Sequence, residues 1–118
     1  ALCRSLGVDH VETVNPFDMA RVEKVIKKEI NRPEPSVIIS QAPCILHRRE
    51  ATPSANGFLV EPLKCVGCGE CFKLICPAIE RRDGEEQDQA FINDSLCYGC
   101  GVCGQVCEEG AIGKKADA

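Results

Sequence analysis

Eight of the ten cysteines stand in two runs, Cys65-x2-Cys68-x2-Cys71-x4-Cys76-Pro77 and Cys97-x2-Cys100-x2-Cys103-x3-Cys107. A triplet of thiolates at x2 spacing wraps one corner of a metal–sulfide cube, and a [4Fe–4S] cluster takes four thiolates. Two blocks of four supply the ligands of two such clusters, and the chemistry they imply is one-electron transfer. Gly67, Gly69, Gly99 and Gly101 stand between the cysteines. Residues without a Cβ let the backbone approach sulfur closely and turn its N–H groups towards it. Two other readings of the same residues exist. Structural zinc sites use four cysteines as two C-x2-C pairs, but triplets are unusual there and no histidine stands near either run. A disulfide framework needs an oxidising compartment.

The bulk of the chain narrows the setting. With 118 residues, no Trp, one Tyr and four Phe, one or two small domains with modest cores are expected. The formal charge is −4, and each cubane held by four thiolates adds about −2, so no nucleic-acid partner is expected. The opening Ala1-Leu2-Cys3-Arg4 has no charged segment followed by an apolar run, and no stretch is long enough to span a bilayer. A reducing, cytoplasmic setting is expected, where cysteine spacing reads as metal ligation. The lack of an initiator Met suggests a processed or truncated piece of something longer.

The elements that would position the cysteines fall in three segments. Residues 1–46 read as one βαβ unit. Val8–Val14 alternates as a strand does, and Asn15-Pro16-Phe17-Asp18 is a turn and helix start. In the helix that follows, Met19, Val22, Val25, Ile26 and Ile30 share one face, and Lys24, Lys27, Lys28 and Glu29 cover the other. Pro33 and Pro35 stop it, and Ser36–Ser40 is a short apolar run of the kind buried in a parallel sheet. Such a unit needs neighbours on both strand edges, which makes it the last crossover of a larger sheet. Residues 47–57 are polar, with Pro, Ser, Asn and Gly, and read as a linker or a wrapping arm. Residues 58–118 contain a repeat: Cys65 falls on Cys97 at an offset of 32, with Gly67 on Gly99 and Gly69 on Gly101. Each half reads as strand, cysteine-rich loop, short helix, strand. The leading strands are expected at about 58–63 and 90–94, the closing ones at Ile79 and Ile112, and Asp83-Gly84-Glu85-Glu86 as a hairpin turn. The x4 spacing before Cys76 adds one residue to the first run, so its helical turn over Phe72–Ile75 is expected to bulge. Glu108 replaces the proline that follows the first run.

The remaining reactive residues are assigned no chemistry. Cys3 and Cys44 read as small buried hydrophobes, and His10 and His47 as surface or linker residues. His47-Arg48-Arg49 is a basic patch, solvated or able to steer an acidic redox protein. Tyr98 and Phe72, beside the cysteines, screen the sulfur from water.

The paired runs resemble those of two-cluster ferredoxins, in which the last cysteine of each run ligates the other cluster. That resemblance implies one cluster on Cys65, Cys68, Cys71 and Cys107, and a second on Cys97, Cys100, Cys103 and Cys76. The segment ending Ser40-Gln41-Ala42-Pro43-Cys44, followed by Lys64-Cys65-Val66-Gly67-Cys68 and Cys76-Pro77-Ala78-Ile79, resembles the C-terminal end of the large subunit of indolepyruvate ferredoxin oxidoreductases, over the whole chain. The implied fold class is α+β: a two-cluster, bacterial-ferredoxin-like (βαβ)2 domain preceded by the terminal βαβ unit of a thiamine-diphosphate-binding α/β domain. The implied enzyme oxidatively decarboxylates an aryl 2-oxo acid with coenzyme A and reduces external ferredoxin, working with a smaller second subunit. Thiamine diphosphate and Mg2+ would be bound upstream, since the family's cofactor motif and catalytic glutamate have no match here. The other functions expected of such a sequence are a free-standing electron carrier with an N-terminal extension and a cluster-bearing structural or sensing module.

Overall fold

The computed structural model describes residues 2–44, 57–84 and 87–115. Two compact units, residues 1–43 and 44–118, divide the chain. The expected linker lies outside the described residues apart from Gly57, as do His47, Arg48 and Arg49.

In the first unit a single helical turn, α1 (Leu2–Ser5), precedes β1 (His10–Val14), α2 (Met19–Ile30) and β2 (Ser36–Ser40). β1 and β2 pair in parallel, from His10↔Ser36 to Val14↔Ser40, so the βαβ connection is present. Local chemistry fixes its corners. Asn15 Oδ1 accepts from the Phe17 N–H at 3.0 Å, and Asp18 caps α2 by accepting from the Arg21 N–H at 3.0 Å. A cap of this kind satisfies a helix donor that has no partner within the helix. At the other end the Asn31 amide donates to the Lys27 carbonyl at 2.8 Å, and the prolines that follow cannot continue the ladder.

Three expectations for this unit are corrected. The strand starts at His10, not Val8. Ile26 and Ile30 are 42% and 76% exposed, whereas Glu29, expected on the polar face, is buried at 6%. The reason is the narrow sheet: two strands cover only the stripe carrying Val25 and Glu29, and Arg32 folds over the Glu29 carboxylate, Nε to Oε2 2.9 Å. Ser36–Ser40 is parallel as expected but not buried, because no third strand or second layer among the described residues covers Ile38 and Ile39.

Arg32 holds the Glu29 carboxyl below the usual carboxylate range, through hydrogen bonding first, and Lys28 does the same for Glu12. A depressed folded pKa contributes stability above the unfolded value of about 4.3. That contribution is lost as the pH falls through the lower folded value. Acid titration followed by far-UV circular dichroism should show the first unit loosening below about pH 4. Glu29→Gln should lower stability at neutral pH and flatten that part of the curve, and an unchanged acid profile in the variant would count against the assignment.

The second unit holds β3 (Phe58–Val60), a 3-10 turn (Glu70–Leu74), β4 (Ile79–Arg82), β5 (Gln89–Ile92), α3 (Val102–Val106) and β6 (Ile112–Lys114). The repeat does not close on itself. β3 pairs antiparallel with β6, and β4 with β5, so each two-stranded sheet takes one strand from each half. The leading strands are shorter than expected: β3 ends at Val60, before Glu61-Pro62, and β5 ends at Ile92. Equivalent turns follow them. The Cys65 N–H donates to the Glu61 carbonyl at 3.1 Å and the Cys97 N–H to the Asn93 carbonyl at 3.0 Å. β4 and β5 run antiparallel, so the chain reverses between Arg82 and Gln89; Glu85 and Glu86 of the expected hairpin turn lie outside the described residues. The core is small: Phe58, Cys71, Ala78, Ala90, Ile92, Cys97 and Ile112.

The extra residue of the first run is absorbed at a single point. The expected bulged helical turn is a 3-10 turn, and Ile75 behind it adopts φ 51° and ψ 36°, the one non-glycine residue described with positive φ. In the second run, with x3 spacing, α3 passes directly into Cys107 in extended conformation. A branched side chain in the left-handed region costs roughly 1–2 kcal/mol. Ile75 is 89% exposed, so little packing offsets that cost. Ile75→Gly should raise the unfolding midpoint of the second unit, by about 4–8 °C per kcal/mol relieved, when measured by anaerobic thermal denaturation. A lower midpoint would show that the Ile75 side chain is held by contacts that outweigh the strain.

Candidate metal centre

Strand pairing across the repeat gathers the eight cysteines into two groups. One cavity is lined by Cys65, Cys68, Cys71 and Cys107, together with Val60, Val66, Phe72, Ala90, Ala111, Ile112 and the carboxylate residues Glu70 and Glu109. The other, of about 230 Å3, is lined by Cys97, Cys100, Cys103 and Cys76, with Phe58, Leu74, Ala78, Ile79, Ile92, Leu96, Tyr98 and Val102 around them. Each group thus takes three cysteines from one run and the last cysteine of the other. β4 and β6 bring this about, because they return the chain across the repeat just after Cys76 and Cys107.

The loops that carry the triplets turn on left-handed glycines. At Gly67, φ is 66° and an added Cβ would lie 2.5 Å from the Asp88 carbonyl oxygen, a distance only glycine avoids. At Gly101, φ is 79° and a Cβ would meet the Phe58 ring at 3.2 Å. Phe58, buried in β3, therefore packs on the loop of the second group and supports both halves from one position.

The donor set suits a cluster core that carries positive charge. All ten cysteines are unbridged. Burial, and then the neighbouring Cys65, Cys68 and Cys107, pushes the Cys71 thiol up. Burial, and then Cys100, Cys97 and Cys76, pushes the Cys103 thiol up to about 11. Four thiolates so enclosed repel one another, and an enclosed cation offsets that repulsion. Among the described residues no three His, Cys, Asp or Glu converge as a single bound ion requires. Each quartet instead lines a cavity, and the second, of about 230 Å3, has room for a multinuclear core.

Other expected residues fall as follows. Phe72 lines the first cavity and Tyr98 the second, although Tyr98 is 41% exposed and covers its site only in part. Cys44 is exposed and Cys3 half-buried, so neither is the buried hydrophobe expected. His10 is a surface group whose ring Nε2 meets Glu34 at 2.8 Å. Glu70, Glu109, Phe58 and Leu96 were not singled out from the sequence. Adjacency to Cys71 and Cys97 was the available signal for Glu70 and Leu96, and a place two residues after Cys107 for Glu109; Phe58 had none.

The model of a 4Fe–4S dicluster domain matches residues 58–108. The chain is 38% identical over 112 residues to indolepyruvate oxidoreductase subunit IorA of Methanothermobacter thermautotrophicus, covering 94% of this chain and 17% of that protein. With the subunit of the same name from Pyrococcus horikoshii the identity is 34% over 118 residues, covering 96% and 18%. An uncharacterized ferredoxin of Methanocaldococcus jannaschii is 39% identical over 54 residues, covering 43% of this chain and 30% of that one. The chain spans about one sixth of the length of the indolepyruvate oxidoreductase subunits it matches.

Proposed function

We propose that this chain, a homologue of indolepyruvate oxidoreductase subunits with a 4Fe–4S dicluster domain, is the electron-carrying C-terminal part of such an enzyme. Cys65, Cys68, Cys71 and Cys107 hold one [4Fe–4S] cluster, and Cys97, Cys100, Cys103 and Cys76 hold the other. Bound there, each cluster accepts and passes on one electron. The protein's part is to fix the thiolates, keep water from the sulfur with Phe58, Phe72 and the strand side chains, and hold the two sites together across the repeat. The observation that carries this reading is the gathering of the eight cysteines into two cavities of four.

Residues 1–46 are the terminal βαβ unit of a thiamine-diphosphate-binding domain, and Ile26, Ile30, Ile38 and Ile39, exposed in this unit, are the surface that domain covers. The whole enzyme decarboxylates an aryl 2-oxo acid with coenzyme A. It uses thiamine diphosphate and Mg2+ bound elsewhere in the protein, works with a smaller second subunit and delivers electrons to external ferredoxin. Its compartment is the cytoplasm, which keeps ten thiols reduced; among the described residues no helix is long and apolar enough to cross a membrane.

The test is anaerobic iron and sulfide analysis with EPR of the dithionite-reduced chain. About eight iron and eight sulfide per chain, with spin-coupled S = 1/2 signals, are expected for two thiolate-ligated cubanes. Zinc in place of iron would overturn the reading. The similarity to an uncharacterized ferredoxin favours a second reading, a free-standing electron carrier. Deletion of residues 1–43 discriminates: a carrier keeps its solubility and redox behaviour without them, and neither reading predicts decarboxylation by this chain alone.

A further inference from the structure

The two cysteine groups sit in unlike surroundings, and the differences all act on how readily each accepts negative charge. In the first group Cys68 is exposed, whereas no cysteine of the second group is. Water at sulfur stabilises the added electron, as solvent exposure is one of the determinants of cluster potential. Around the second group the lining side chains are apolar, with Tyr98 the one polar exception. The residue after Cys76 is Pro77, which has no N–H to offer, while the residue after Cys107 is Glu108, which has one.

Charge acts in the opposite direction at the first group, where Glu70 and Glu109 line the cavity. That opposition is weak. Glu70 is bound by Lys73 through both carboxylate oxygens, at 2.6 and 2.8 Å. Glu109 and the adjacent Glu108 are exposed, where water and salt screen them. A cation also stands on this side: the Arg81 guanidinium lies 4.9 Å from the centroid of Phe72, which lines the first cavity, although Asp88 shares that charge at 3.5 Å. With Glu70 paired and Glu109 screened, the hydration of exposed Cys68 decides.

From this we propose that the two sites are unequal in potential: the group of Cys97, Cys100, Cys103 and Cys76 is the lower, and a chain holding one electron keeps it on the group of Cys65, Cys68, Cys71 and Cys107. Exposed Cys68 then marks the end at which electrons wait and leave, and the rim of Leu96 and Tyr98 marks the end at which they enter. This inference rests on the two-cluster reading above.

An anaerobic redox titration followed by EPR tests it on the whole chain, with dithionite as the one-electron source and iron content determined on every sample. The wild type should show two resolved midpoints. Leu96, 44% exposed, lines only the second cavity, and Val66, 48% exposed, only the first. Leu96→Lys places a cation beside the second group and should raise the lower midpoint alone. Val66→Lys should raise the higher midpoint alone, and Glu109→Gln should leave both nearly in place. Tyr98→Lys repeats the Leu96 test if that variant loses iron. Coincident midpoints, or Leu96→Lys and Tyr98→Lys moving the higher one, overturn the ranking while full iron content leaves the two-cluster reading standing. A wild-type chain without reducible iron overturns both.

Discussion

Stripping the iron from the anaerobically prepared chain is expected to abolish the fold of the second unit, not merely weaken it. Among the described residues seven form its buried cluster, two of them the cysteines Cys71 and Cys97. Its sheets are pairs of three- and four-residue strands, and isolated two-stranded pairs are marginal at best in water. Little apolar surface is available to offset the entropy of ordering such a chain. Stability must come from the metal groups, and in small metal-organised domains that contribution is on the order of 10 kcal/mol per site. Chelation under reducing conditions should remove the strand and helix signal of this unit together with its slowly exchanging amides. A cooperative unfolding transition that survives in the iron-free chain would show that the apolar core suffices alone.

The cysteine spacing made the second unit legible because ligand chemistry ties sequence separation to space. A four-thiolate site leaves few folds for a repeat of 32 residues, and turn residues such as Asp83-Gly84 marked where the chain reverses. Pairing across the repeat was less visible. Nothing in Phe58-Leu59-Val60 names β6 as its partner, since strands this short carry too little alternation to specify a register. In the first unit the helical period was readable but its orientation was not. Glu29 and Ile26 could exchange faces because an Arg32 partner makes a buried carboxylate tolerable, and a two-stranded sheet does not cover the whole apolar stripe. Glu70 and Glu109 were hidden for a different reason: a carboxylate within two residues of a cysteine lines the cavity or turns to solvent according to loop geometry that spacing does not encode.

Removing Cys76 should destroy the cluster of the other run. In sequence Cys76 closes the first triplet, but in space it lines the cavity of Cys97, Cys100 and Cys103. Cys76→Ser is therefore expected to leave about four of eight iron atoms and the EPR signal of the first group. Cys107→Ser should leave the complementary signal, and the sum of the two residual spectra should approximate the wild type without its spin-coupling features. Double variants make the test independent of how each single loss is tolerated, since sites acting as one unit are not additive. Cys76→Ser with Cys97→Ser should lose no more iron than either change alone. Cys76→Ser with Cys71→Ser should lose both clusters and, by the coupling of metal to folding, the structure of the second unit. The opposite pattern, with Cys76 and Cys71 behaving as one unit, would mean that each run closes on its own cluster. The strand exchange between halves would then have to be explained by packing alone, in a core whose large buried side chains, among the described residues, are Phe58, Ile92 and Ile112.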